Sequence, residues 1–247
     1  MSGFGKLAWT QIKLYLREPV AAFFTVAWAP LMLVLFGSMY GNAPDAFYGG
    51  YGFVDVTTAA YMALVIDTVG LLSVPVSVAS RRADGMLRRL RATPLKASTF
   101  ILTDVLTFVA VGILGTVVMC VVAILGFGAH FTGNIGLLIL AFLLTTLSMY
   151  AVGYLLAALS PSVSLANILG MVVGFIMMFL SGATIPLEVM PASVKEISRY
   201  IPLTYGVDLL KASWLQGSWE GQGLAVGVLA GILVVAGLLA VRFWRWD

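Results

Sequence analysis

Few residues in this chain could do chemistry, and each kind is scarce. Asp67 and Asp104 fall inside long apolar runs. An ionisable side chain there could relay a proton, hold a cation or contact a polar cargo. Asp67 sits near the middle of its run; Asp104 lies one turn into the next, where stabilising a helix start or pairing with nearby arginines is the simpler role. No further carboxylate motif accompanies them, which argues against an intramembrane enzyme. His130, the sole histidine, stands in "GFGAHFTGN" without a second ligand at metal spacing or an adjacent nucleophile, and reads as a loop residue. Cys120, the sole cysteine, can form neither an internal disulfide nor a thiolate metal site. No G-x-x-x-x-G-K-[ST] phosphate loop and no aspartate-rich metal loop occurs, so ATP chemistry must belong to another polypeptide.

The densest chemistry is cationic. "RRADGMLRRLRATPLK", residues 81–96, holds six of the 14 Lys and Arg residues. Read as a helix over 83–91, it places Met86, Leu87 and Leu90 on one face and Arg88 and Arg91 on another. Asp84 then stands four residues before Arg88. Thr93-Pro94 ends the helix, because a residue before proline avoids the helical region. An apolar stripe beside a cationic face suits docking to a partner protein or to an anionic lipid surface. The pattern alone leaves both open.

The elements that must position these residues are membrane spans. The chain is 61% hydrophobic and 10% charged, with a mean hydropathy of +1.02. Soluble domains are about 45–50% apolar and about 25% charged. Six apolar runs are long enough to cross a bilayer: residues 20–40, 56–80, 100–127, 135–159, 165–185 and 224–244. Six spans put both termini on one side. With the N-terminus in the cytoplasm, eleven of the 14 cations fall inside, and only Lys195, Arg199 and Lys211 fall outside. The net charge of +3 is thereby explained by topology rather than by nucleic acid. The N-terminus lacks the pattern of a cleaved signal peptide. Within residues 1–18, Phe4, Leu7, Ala8, Ile12, Tyr15 and Leu16 recur at helical spacing, which predicts a helix lying in the inner interface.

Residues 181–219 form a long outer connection punctuated by Pro186, Pro191 and Pro202. Ser181-Gly182 ends the fifth span. Short helices are predicted at 193–200 and 204–214, dipping back into the outer leaflet as a lid or lateral gate. A surface loop anchored by interfacial Trp214 and Trp219 is the alternative. Gly170 and Gly174 in span five, and Gly223, Gly227 and Gly231 in span six, allow close helix approach and predict that these spans pack on each other or on a partner. Pro30 and Pro75 permit kinks in spans one and two. An ion-coupled secondary transporter using Asp67 would call for inverted repeats and broken midplane helices, and no repeat is visible.

Three stretches carry a family resemblance. "SRRADGMLRRLRATPLKAS" (80–98) resembles the cytoplasmic signature of type 2 ATP-binding-cassette exporter permeases, filled by Arg82, Asp84, Gly85, Leu87, Arg88, Leu90, Arg91, Ala92, Thr93, Pro94 and Leu95. It departs from it at Asp84, where glutamate is usual, and at Met86, where threonine is usual. "FLSGATIPLEVMPASVKEISRYIPLTYGVDLLKA" (179–212) is similar to the segment before the last span, with Ser181, Gly182, Pro186, Met190, Pro191 and Pro202 in place. "LYLREPVAAFFTVAWAPLMLVLFG" (14–37) is similar to the opening of that family. The look is nearest to drug- and antibiotic-efflux members of the daunorubicin-resistance kind; the same family exports polysaccharide and lipid-linked cargo. The resemblance implies an all-α, six-helix permease domain over 1–247, in a bacterial cytoplasmic membrane. It implies two copies of a separate nucleotide-binding ATPase that holds ATP and Mg²⁺, and a second, identical permease chain. It also implies that residues 81–98 couple to the ATPase and that 181–219 are re-entrant. This chain itself would be no enzyme and would hold no cofactor or metal.

Overall fold

The computed structural model of the chain describes residues 23–85 and 97–244. The expected interfacial helix at 1–18 lies outside them, as do Leu87, Arg88, Leu90, Arg91 and Pro94. Among the described residues every regular element is helical, and six helices are long and apolar enough to cross a membrane. In lipid this is the economical solution, because a helix satisfies its own backbone polar groups.

Span α1 is Trp28–Tyr40 preceded by a π-helical segment, Phe23–Ala27. Span α2 is Phe53–Asp67, a π segment at Thr68–Ser73, then Val74–Ala83. Span α3 is Ala97–Val121 continued by Val122–Gly126, α4 is Ile135–Leu159, and α5 is Val163–Leu180. Two shorter helices follow: α6, Ala192–Ser198, and α7, Pro202–Lys211 with a π extension at Ala212–Gln216. The last span, α8, is Gly223–Arg242. Pro30 and Pro75 each sit shortly after a π segment. A proline withholds one N–H from the preceding turn, and a π segment absorbs that irregularity within the helix.

The centre of the bundle is α2. All fifteen residues from Phe53 to Asp67 are buried, with α1, α3, α4, α5 and α7 packed around them. Span α4 holds α8 through Ala225, Leu229, Ala236 and Ala240. Ser148 Oγ of α4 donates across this contact to the Leu229 carbonyl, 2.8 Å away. Exposed Leu31 and Leu35 on α1, Val172 and Ile176 on α5, and Val234 and Leu238 on α8 turn outward, as lipid-facing surfaces should.

Two expectations are corrected. The helix predicted over 83–91 does not run on from Ala83: α2 stops there, and Gly85 follows with φ +67°, a left-handed turn that only glycine adopts without strain. The glycines of spans five and six do not join those spans to each other. Gly170 and Gly174 pack on α2, whereas a side chain at Gly223, Gly227 or Gly231 would meet open space.

Candidate functional site

At the cytoplasmic end predicted by the charge count, α2 finishes in a cluster that ties three spans together. The Arg81 guanidinium pairs with Asp104 of α3, whose carboxylate is buried. Tyr154 of α4 donates to the other Asp104 oxygen at 2.8 Å. Tyr150, one turn away, donates to the Phe108 carbonyl at 2.9 Å. Asp104 thus pairs with an arginine, as its position suggested. Arg82 is buried, and its guanidinium donates to Ala157 O at 2.7 Å and Ser160 O at 2.9 Å. It caps the C-terminus of α4, where unsatisfied carbonyls and the helix dipole favour a cation. Ser162 then accepts from Leu165 N to start α5. Beside Arg82 lies a pocket of about 210 Å³ lined by Ala79, Ala83, Gly85, Ser160, Pro161 and Val163. Of the residues expected to couple, Arg82 therefore locks spans within the chain, while Asp84 and Gly85 form the turn that leads out.

The connection between α5 and α8, which the charge count predicts to be outer, is built into the bundle. Ser181 is buried, and its Oγ accepts from Ala183 N. Gly182 has φ +83° and lies against Leu187. Pro186 precedes a short 3-10 turn, Leu187–Val189, Met190 closes it, and Pro191 precedes α6. Pro202 occupies the first turn of α7, where its missing N–H costs nothing. Helix α7 buries Leu203, Val207, Leu209 and Leu210. A Cβ at its Gly206 would stand 2.5 Å from Thr145 Cγ2. Thr145 is the eleventh residue of α4, so the contact lies about 15 Å below that helix's outer end. The connection therefore folds back alongside α4 rather than lying wholly at the end of the bundle. Trp214 is buried against Phe131, ring centroids 5.0 Å apart, rather than anchoring at the interface. Carbonyls of the π extension are taken by the next outer loop: Asn134 N donates to Ser213 O at 3.0 Å, and Thr132 Oγ1 to Leu215 O at 2.7 Å.

Two outer carboxylates were not foreseen. Asp55, just outside the predicted second span, is buried in the first turn of α2. Its Oδ1 accepts from Asn42 Nδ2 at 3.0 Å and from the backbone of His130 at 2.8 Å, and its Oδ2 from Gly52 N at 3.3 Å. The α1–α2 and α3–α4 connections are pinned together there. The His130 imidazole stays exposed, 3.8 Å from Asp55. Asp208 on α7 lies near the Glu188–Lys211 pair, which is 3.4 Å long. Burial pushes the Asp208 carboxyl above the usual carboxylate range, Glu188 adds to the push, and Lys211 opposes it. A carboxyl raised this way binds its proton more tightly in the folded chain, so its contribution to stability is full at low pH and is lost as pH rises through the folded value. Asp208→Asn should raise the thermal midpoint of the purified protein at about pH 7, with the gain shrinking towards pH 4. A gain that does not change with pH would count against burial as its cause.

Asp67 stands where expected, in the middle of α2. It is wholly buried, and neither carboxyl oxygen has a hydrogen-bond partner among the described residues. No group of three or more His, Cys, Asp or Glu suited to a metal occurs among those residues.

Comparison with known proteins places this arrangement. Residues 3–215 match the family described as ABC-2 type transporter. Nodulation protein J of Rhizobium leguminosarum bv. viciae is 29% identical over 131 residues, 53% of this chain and 50% of that protein. Nodulation protein J of Rhizobium meliloti (strain 1021) is 28% identical over 102 residues, 41% of this chain and 39% of that protein. The matched stretches span half or less of these curated relatives.

Proposed function

The chain belongs to the ABC-2 type transporter family, and on that premise we propose that it is the permease subunit of a bacterial exporter. It would move a hydrophobic or amphipathic substrate out of the cytoplasm or inner leaflet, with both termini cytoplasmic. ATP and Mg²⁺ would be held by two copies of a separate nucleotide-binding subunit, and a second, identical permease chain would complete the pathway. The observation that carries this reading is the family match over 3–215, which spans the first five membrane helices and most of the outer connection.

The inner cluster supplies a route for force. A push on residues 84–95 arrives at the end of α2. Arg81 passes it to α3 through Asp104, and Arg82 passes it to α4 through the Ala157 and Ser160 carbonyls. Because α2 is the buried axis of the bundle, movement at its inner end also reaches α5 and α7. The outer segment around Ser181, Gly182, Pro186, Met190, Pro191 and Pro202 would gate the exit. Drug- or antibiotic-like cargo suits the apolar faces available. A polysaccharide or lipid-linked cargo is favoured by a different observation: both relatives are named Nodulation protein J, and neither name refers to drug resistance.

The pair Asp84→Ala and Arg88→Ala tests the coupling. The double variant is expected to insert normally but to lose the ATPase subunit or to hydrolyse ATP without transport. Unchanged transport would remove residues 84–95 from the coupling path.

A further inference from the structure

The buried carboxyl of Asp67 is aimed at a notch. Its Oδ2 lies 3.7 Å from where a Cβ on Gly174 of α5 would stand. One turn along α5, Gly170 sits directly on the Leu71 carbonyl oxygen, and from the other side Gly153 of α4 sits on the Gly70 carbonyl oxygen. Both carbonyls belong to the π segment of α2, just before Pro75. Gly170 and Gly153 thus let α5 and α4 close on opposite sides of that segment, while Gly174 closes on the Leu72 side chain beside Asp67. Close packing accounts for the glycines. It does not account for an acid at Asp67, where a leucine would fill space without an unmet polar group. Leaving a buried acceptor unsatisfied is destabilising.

Nothing around Asp67 supplies a counter-charge. The described parts of α1, α4 and α5 carry no charged residue, and that of α3 carries only Asp104, already held by Arg81. On α7 the charges are Asp208 and Lys211, the latter paired with Glu188. What stands between Asp67 and the outside of the bundle is a single helix. The far side of α5 exposes Met171, Val172, Phe175, Ile176 and Phe179. Its inner end follows the short link Ser160–Pro161–Ser162, and its outer end turns at Gly182, with φ +83°.

We propose that Asp67 and the Gly170–Gly174 notch form a cargo subsite, which α5 uncovers as it moves off α2 and which takes a hydroxyl or ammonium donor on the polar head of an amphipathic substrate. The unmet acceptor is then matched by the cargo rather than by the protein. This rests on the exporter reading above and adds to it the chemistry of the head group.

A hydrophobic carbodiimide, dicyclohexylcarbodiimide, tests it, because it modifies carboxyls in apolar surroundings. The permease with its ATPase subunit is placed in lipid nanodiscs, and mass spectrometry follows the Asp67 peptide. Modification is expected to be slight at rest and to rise severalfold during ATP turnover. Dodecyl maltoside should suppress the rise if the head donor is a hydroxyl, and dodecylamine if it is an ammonium, with any Asp67 dodecylamide formed by the amine on the activated carboxyl counted as modification. Asp67→Leu should hold or raise the thermal midpoint while abolishing stimulation of ATP turnover by the protecting amphiphile. A fall in midpoint with stimulation intact would make Asp67 structural and overturn the proposal. ATP turnover without any modification of Asp67, or a rise that neither amphiphile suppresses, would overturn it while leaving the exporter reading standing. Absence of ATP turnover would remove both.

Discussion

Gly153→Leu is expected to be the most damaging single substitution in the membrane core. Gly153 of α4 presses on the Gly70 carbonyl oxygen of α2, and even a Cβ there would fall well inside van der Waals contact. The obstructing atom is backbone, in a buried turn of α2, so it cannot swing away as a side chain would. Relief requires α4 to move off α2, and α8 is packed on α4. Overpacking of a tight core costs typically 1–3 kcal/mol and sometimes more; this site belongs at about 3 kcal/mol or above. Gly227→Leu supplies the control, because a side chain there meets open space. Thermal unfolding in detergent should show a large fall for Gly153→Leu and a change within about 0.5 kcal/mol for Gly227→Leu. Equal effects would mean that α4 and α2 do not meet as described.

The second large effect concerns the inner cluster. Asp104 is almost wholly buried and Arg81 is 20% exposed. Removing one member of a buried pair costs about 3–5 kcal/mol, because the other charge is left without compensation. Arg81→Ala should fall at the lower end of that range, since water reaches part of the guanidinium and Tyr154 still donates to Asp104. Arg81→Met combined with Asp104→Asn should cost much less than the sum of the two single changes, because no uncompensated charge remains. A double-mutant cycle on thermal unfolding reads the coupling. Strict additivity would show that the pair does not join α2 to α3. The same variants should weaken the link between ATP hydrolysis and transport even where the protein still accumulates.

Much of this architecture was legible from the chain alone, for a physical reason. Lipid forces each span to be a long apolar run, so the six spans emerge from length and hydropathy, and Ser181-Gly182 and Pro202 mark a helix end and a helix start by their backbone chemistry. Contacts across distance were less legible. Arg81 and Asp104 lie 23 residues apart across a loop, so their pairing could be suspected but not fixed. Arg82 was expected only as a coupling residue, from the family resemblance; its capping of α4 depends on where α4 ends in space. Asp55 escaped notice because it sits just outside the apolar run, and only the fold shows the Asn42 side chain and the Gly52 and His130 amides meeting on it. The glycine spacing in span six matched that in span five, yet only span five uses it for packing among the described residues. Spacing reports what a helix face permits, not which neighbour arrives.

One measurement bears most directly on the exporter reading. The chain is purified together with its proposed nucleotide-binding partner, reconstituted into vesicles, and assayed for ATP turnover and for export of amphipathic cargo. The account predicts that the two proteins copurify and that export follows ATP hydrolysis and persists when the proton gradient is collapsed. Export that follows the proton gradient instead, with no nucleotide-binding partner retained, would contradict it.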